Sequence, residues 1–150
     1  MAIPDFTEFG LLPEGIHDCT IDEAADFLCT NQHRAEIWQG FQDFLRWINH
    51  LPLPLGVLVD GSFVTDKPLP DDADVIIDIS SCTEAEYQLW ADHWSQGREY
   101  AKVTFQVDFY PVVAGHGHDF SAFFQYVRID DALRRGVPPA TRKGILKVQQ

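Results

Sequence analysis

Apolar residues recur along the chain in two rhythms, one helical and one extended. Between Gln32 and Asn49 the positions Ile37, Phe41, Phe44, Leu45 and Ile48 fall at spacings of 4, 3, 1 and 3, which gathers them on one face of a helix. Pro52 and Pro54 in the run LPLPL at 51–55 end it, because proline cannot continue a helix. Thr20 followed by Glu23, and Thr83 followed by Glu86, are capping boxes. They predict a short helix from near Ile21 and a longer one from Thr83 to about Gln96, with Gly97 as its stop. Gly56-Val57-Leu58-Val59-Asp60 and Val75-Ile76-Ile77-Asp78-Ile79 are short, β-branched and apolar, and read as buried strands. Lys102 to Val113 alternates and predicts a third, longer strand. Gly115-His116-Gly117-His118 reads as a turn and Asp119 to about Arg135 as partly helical, before Gly136-Val137-Pro138-Pro139 breaks the chain. Gly144 to Val148 is a further strand candidate. Residues 1–19, with Pro4, Gly10, Pro13 and Gly15, read as an irregular arm. The order predicts an α+β (α/β) domain with a small mixed sheet flanked by helices.

The length of 150 residues fits one domain, 1–150, and 45% hydrophobic content with four Trp and eleven Phe is enough for a core. No apolar run is long enough to cross a membrane, and the first ten residues lack the features of a secretory signal. Cys19, Cys29 and Cys82 are odd in number and match no zinc spacing, so reduced cysteines and a cytoplasmic location are expected.

Charge changes the picture more than composition does. Of the net −12, residues 1–127 carry −16 (21 acidic, 5 basic) and residues 128–150 carry +4 (2 acidic, 6 basic). An acidic body repels a phosphate backbone and argues against broad nucleic-acid binding. The basic tail (Arg128, Arg134, Arg135, Arg142, Lys143, Lys147) either approaches an anionic ligand or balances local acidic surface.

The chemistry concentrates between Val57 and Ile79. A buried strand ends at Asp60, Gly61-Ser62 follows, and a Pro-rich loop returns to a strand opening Asp72-Ala73-Asp74. Alternate strand residues share a face, so Asp72 and Asp74 project together and repel unless a cation or a proton intervenes. Mg²⁺ suits them, being hard and oxygen-seeking. Asp108, flanked by Val107 and Phe109, is costly in an apolar strand without a partner. If its strand lies beside Asp72-Ala73-Asp74, three carboxylates converge, enough for two Mg²⁺ ions. Gly61 lets a phosphate approach the backbone, and the Ser62 hydroxyl can donate to it.

Gly61-Ser62, nine residues, Asp72-x-Asp74 and then Asp108 in an apolar strand resemble the signature of the polymerase-β nucleotidyltransferase superfamily. LPEGIH near the N-terminus and DGSFVTDKPLPDDADV resemble a family of short bacterial and phage proteins with a minimal nucleotidyltransferase fold. The strong match spans about residues 55–80; Asp108 and Lys143-Gly144-Ile145 match more loosely. The resemblance implies a triad of Asp72, Asp74 and Asp108 that binds Mg²⁺, with Gly61 and Ser62 at a nucleoside triphosphate, ATP first. It implies transfer of a nucleoside monophosphate to a hydroxyl of a protein or, second, of tRNA, in a toxin–antitoxin or phage-defence setting. The alternative is an inactive protein of this fold that binds and neutralises a basic partner.

Other residues have plainer readings. Asp71 and Lys67 read as solvated loop residues, and Asp78 as a strand-end surface residue. Arg142 and Lys143 either face the triphosphate or serve solubility. His116 and His118 fit a turn better than a metal site, and Phe120, Phe123, Phe124 and Tyr126 fit a core better than a base-stacking platform. Trp38, Trp47, Trp90 and Trp94 fit helical faces packed on the sheet.

Overall fold

A computed structural model describes residues 3–113 and 126–149. Five strands form one mixed sheet: β1 (Ile16–Thr20), β2 (Gly56–Asp60), β3 (Ala73–Asp78), β4 (Val107–Val112) and β5 (Ile145–Gln149), in the order β1-β5-β2-β3-β4. β1–β5 and β3–β4 are parallel; β5–β2 and β2–β3 are antiparallel. The described helices are α1 (Ile21–Leu28), α2 (Gln32–Trp47), α3 (Glu84–Phe105) and α4 (Ile129–Arg135). The α+β class with a mixed sheet is therefore as expected.

The period of two along each strand divides the sheet into unlike faces. Val57, Val59, Val75, Ile77, Val107, Phe109, Leu146 and Val148 pack with Leu28, Ile37, Phe41, Phe44 and Trp90 of the helices into the main core. Such side chains contribute roughly 1.5–3 kcal/mol each when fully buried. The alternate residues of β2, β3, β4 and β5 lie on the other face: Leu58, Ile76 and Ile145 make a small apolar cluster there, and Asp60, Asp74 and Asp108 occupy one end.

Both capping boxes form, at Thr20/Glu23 and Thr83/Glu86. Trp38 and Trp90 are buried, and Trp47 and Trp94 pack against the core.

Three expectations need correction. The arm is irregular only as far as Gly15, because Ile16–Thr20 pairs with β5 as an edge strand, an association made only in the tertiary fold. α3 does not stop at Gly97. A Cβ there would lie 2.6 Å from Cη2 of Trp47, so the glycine accommodates a packed indole inside the helix. The strand expected from Lys102 begins only at Val107. The alternation of Val103, Phe105 and Val107 misleads: Val103 is 81% exposed on the last turn of α3, and Gln106, at φ 55, makes the left-handed turn into β4. Residues 128–149 supply α4 and then β5, the strand expected over Gly144 to Val148, which sits between β1 and β2. Five of the six tail cations are in ion pairs, with Asp130, Asp131, Asp66, Glu14 and Asp60, so local charge balance is the reading met there. The turn at 115–118 with His116 and His118, the helix start at Asp119, and Phe120, Phe123 and Phe124 lie outside the described residues.

Gly40, in the middle of α2, shows how closely the helices approach. A Cβ there would stand 2.2 Å from the backbone oxygen of Phe105. Helix propensity alone favours alanine by about 1 kcal/mol, but a backbone carbonyl cannot rotate aside. Gly40→Ala is expected to destabilise the protein by about 1–3 kcal/mol in urea unfolding; a gain in stability would contradict this packing.

Candidate active site

The site is a consequence of register. Asp60 on β2 is the cross-strand partner of Asp74 on β3, and Asp74 is the partner of Asp108 on β4. Cross-strand partners point to the same face, and neighbouring strands lie about 4.8 Å apart, so three carboxylates form a row across three adjacent strands. Asp72, two residues before Asp74, joins the group electrostatically. Asp74 and Asp108 are thus paired on one side, and Asp72, just before β3, is near enough to feel the charge of Asp108 and to act on Asp74. Asp60 makes the group four, and sequence reasoning assigned it no role; the signal available was an acid ending an otherwise apolar strand.

Each end of the row has a cation. Asp60, 3% exposed, forms a buried ion pair with Lys143, 5% exposed. Lys143 is therefore inside the site, with its ammonium on Asp60. At the other end Arg98 of α3 donates from Nε to Oδ1 of Asp108 at 3.3 Å, and the Tyr110 hydroxyl donates to Oδ2 at 2.7 Å. Arg98 also donates to the Tyr110 oxygen at 3.3 Å. Neither Arg98 nor Tyr110 was found from sequence, because α3 was expected to end one residue before Arg98.

Asp74 lies in the middle, half-buried, and among the described residues its carboxylate accepts no hydrogen bond. Burial first, then the charges of Asp72, Asp60 and Asp108, push its pKa up to about 7, with Lys143 acting in the opposite direction. Burial and Asp108 likewise raise the pKa of Asp72, against Lys102. Such a group calls for a cation or a proton. Among the described residues no three Asp, Glu, His or Cys side chains group closely enough to enclose a metal ion by themselves. Mg²⁺ does not require that, since it commonly takes one or two carboxylates and completes its shell with water and substrate phosphates. The unpartnered, hard oxygen donors of Asp72 and Asp74 fit such an ion.

The glycine-serine turn lies against the row. Gly61 has φ 81, and a Cβ on it would meet Oδ2 of Asp74 at 2.3 Å, so both conformation and space require glycine. Ser62–Val64 forms a single 3₁₀ turn, too short to add a helix N-terminus to the site. The loop that follows is fixed by Arg34, 2% exposed, which donates from Nε to Leu28 O at 2.6 Å, from Nη1 to Lys67 O at 2.5 Å, and from Nη2 to Phe63 O. Arg135 ties α4 to the same loop through Asp66 at 2.7 Å and Thr65 Oγ1 at 3.2 Å. Asp71 is exposed, as expected of a solvated loop residue. Asp78 ends β3 away from the row and accepts from the Ser80 N–H at 3.0 Å.

A raised carboxyl pKa makes the folded state hold a proton that the unfolded chain has released. Asp74 therefore contributes no penalty below its ordinary value of 3.8, and stability falls as pH rises towards about 7, by up to about 1.4 kcal/mol per pH unit. Asp74→Asn is expected to raise the melting temperature at pH 8 by several degrees, at roughly 2–4 °C per kcal/mol, with the gain shrinking towards pH 4. Equal melting temperatures at pH 8 would mean that the row is not repulsive.

Comparison with known proteins adds the family and nothing on activity. No curated protein and no solved structure matches the chain. Among the described residues no helix is long and apolar enough to cross a membrane. The profile of DUF6932, a family of unknown function, matches residues 4–149, and the chain belongs to that family.

Proposed function

We propose that the chain is a Mg²⁺-dependent nucleotidyltransferase of the polymerase-β type, which moves a nucleoside monophosphate from a nucleoside triphosphate to a hydroxyl. The observation that carries this reading is the pairing of Asp74 with Asp108 across parallel strands, with Asp72 two residues away and Gly61 against Asp74. Asp72, Asp74 and Asp108 are the residues that would hold the metal, with Asp108 on the acceptor side. Bound Mg²⁺ supplies charge neutralisation for the polyphosphate and acidifies the attacking hydroxyl. Gly61 and the Ser62 hydroxyl are the groups that would receive the triphosphate, beside the Asp74 carboxylate. The acceptor oxygen bonds to the α-phosphorus as the bond to the bridging oxygen breaks, Asp108 takes the hydroxyl proton, and pyrophosphate leaves. ATP is the first choice of donor. A protein hydroxyl is the first choice of acceptor and tRNA the second, because the acidic body opposes long RNA. A toxin–antitoxin or phage-defence role fits a chain of this size.

One observation favours a second reading, that of a binding protein without chemistry which neutralises a basic partner. Lys143, expected from sequence at the triphosphate, is held by Asp60. Calorimetry with ATP and Mg²⁺ separates the two, since an inactive binder of this kind takes up no nucleotide.

The enzymatic reading predicts that the wild-type chain, given α-labelled ATP, Mg²⁺ and a cell extract, transfers label to protein. Asp72→Ala and Asp74→Ala are expected to reduce transfer to background while remaining folded. Equal labelling by wild type and variants would remove the site from the reaction.

A further inference from the structure

We propose that Arg98 is a resident counter-cation, which neutralises Asp108 while no divalent ion is bound and turns to the substrate's polyphosphate when one is. The inference rests on the nucleotidyltransferase reading and adds to it a residue that orders cation and nucleotide binding.

Three features of the contact support the exchange. It is long: one guanidinium nitrogen meets one Asp108 oxygen at 3.3 Å, beyond the roughly 2.7–2.9 Å of a strong charge-assisted bond, and the accompanying bond from Arg98 to the Tyr110 hydroxyl is equally long at 3.3 Å. It is also lopsided, because the Arg98 side chain is 36% exposed and that of Asp108 only 11%. The cation can return to water cheaply, whereas the carboxylate keeps the bond from the Tyr110 hydroxyl but loses the positive charge that balances it, and calls for another cation. Arg34 shows the contrasting arrangement, a guanidinium 2% exposed and fixed by three backbone carbonyls. Finally, Arg98 rests over the rings of Trp94 and Tyr110, with its guanidinium carbon 5.2 and 5.3 Å from their centroids. These π-faces can retain the cation as its head group swings off Asp108.

The two ends of the row differ in this respect. The Lys143–Asp60 pair is buried on both sides, so Lys143 is a fixed charge and Arg98 is the exchangeable one. A divalent ion drawn to Asp72, Asp74 and Asp108 competes with Arg98 for the last of them. Once released, the planar fork of Arg98 is suited to paired phosphate oxygens.

Opposite signs in two binding measurements test this. Mn²⁺ alone, titrated by electron paramagnetic resonance, is expected to bind Arg98→Gln about tenfold more tightly than wild type, equivalent to about 1.4 kcal/mol. Inorganic tripolyphosphate, titrated calorimetrically with Mn²⁺ saturating, is expected to bind Arg98→Gln about tenfold more weakly. Arg98→Lys keeps the charge and is expected within a few-fold of wild type for Mn²⁺. Lys102→Gln removes a charge that acts on Asp72, and is expected to gain clearly less Mn²⁺ affinity than Arg98→Gln. An equal gain would reduce the effect to net charge and overturn the proposal. So would Mn²⁺ binding to Arg98→Gln that is unchanged or weaker while wild type binds well, an outcome that leaves the nucleotidyltransferase reading standing. Absence of Mn²⁺ binding by both wild type and Arg98→Gln overturns both readings.

Discussion

Backbone hydrogen bonding sets the spacing of side chains across a sheet, and here it sets carboxylates side by side. The ladder fixes Asp60 opposite Asp74 and Asp74 opposite Asp108, and neither strand can slip by one residue without turning its apolar set out of the core. Val57, Val59, Val75, Ile77, Val107 and Phe109 therefore enforce the electrostatic problem on the opposite face. The main core holds the charges together, and the charges must find cations.

The molecule meets that need unevenly. Lys143 closes one end inside the protein, Arg98 covers the other from the surface, and Asp74 between them has no hydrogen-bond donor among the described residues. An unmet need of this kind, next to a glycine whose missing Cβ leaves room for the Asp74 carboxylate, is what a divalent cation and a phosphate would satisfy. Arg34 and Arg135 serve the same end at one remove, holding the loop after Ser62 to α2 and α4. The last 23 residues are thus part of the site's frame: β5 flanks β2, and Lys143 enters just before it.

Much of this was legible in the sequence, for physical reasons. Capping boxes act within four residues, so Thr20 and Thr83 announced their helices. The apolar run Gly56–Asp60 could only be a buried strand, whereas the strand parity expected of Asp72 and Asp74 does not reach Asp72, because β3 begins at Ala73. What stayed hidden depends on contacts between distant segments. Gly97 looks like a stop until the Trp47 ring is seen over it, and that misreading concealed Arg98. Ile16–Thr20 has little strand character until β5 lies beside it. Lys143 looked like a surface or phosphate-facing cation because its partner, Asp60, lies 83 residues earlier.

The claim at the centre is that this carboxylate row is a divalent-cation site. Paramagnetic broadening of backbone amide signals by substoichiometric Mn²⁺ addresses it without reference to any reaction. The account predicts loss of signal confined to residues near Asp60–Ser62, Asp72–Val75 and Val107–Tyr110, reversed by excess Mg²⁺. Broadening spread over the acidic surface as a whole, or none at these residues, would contradict it.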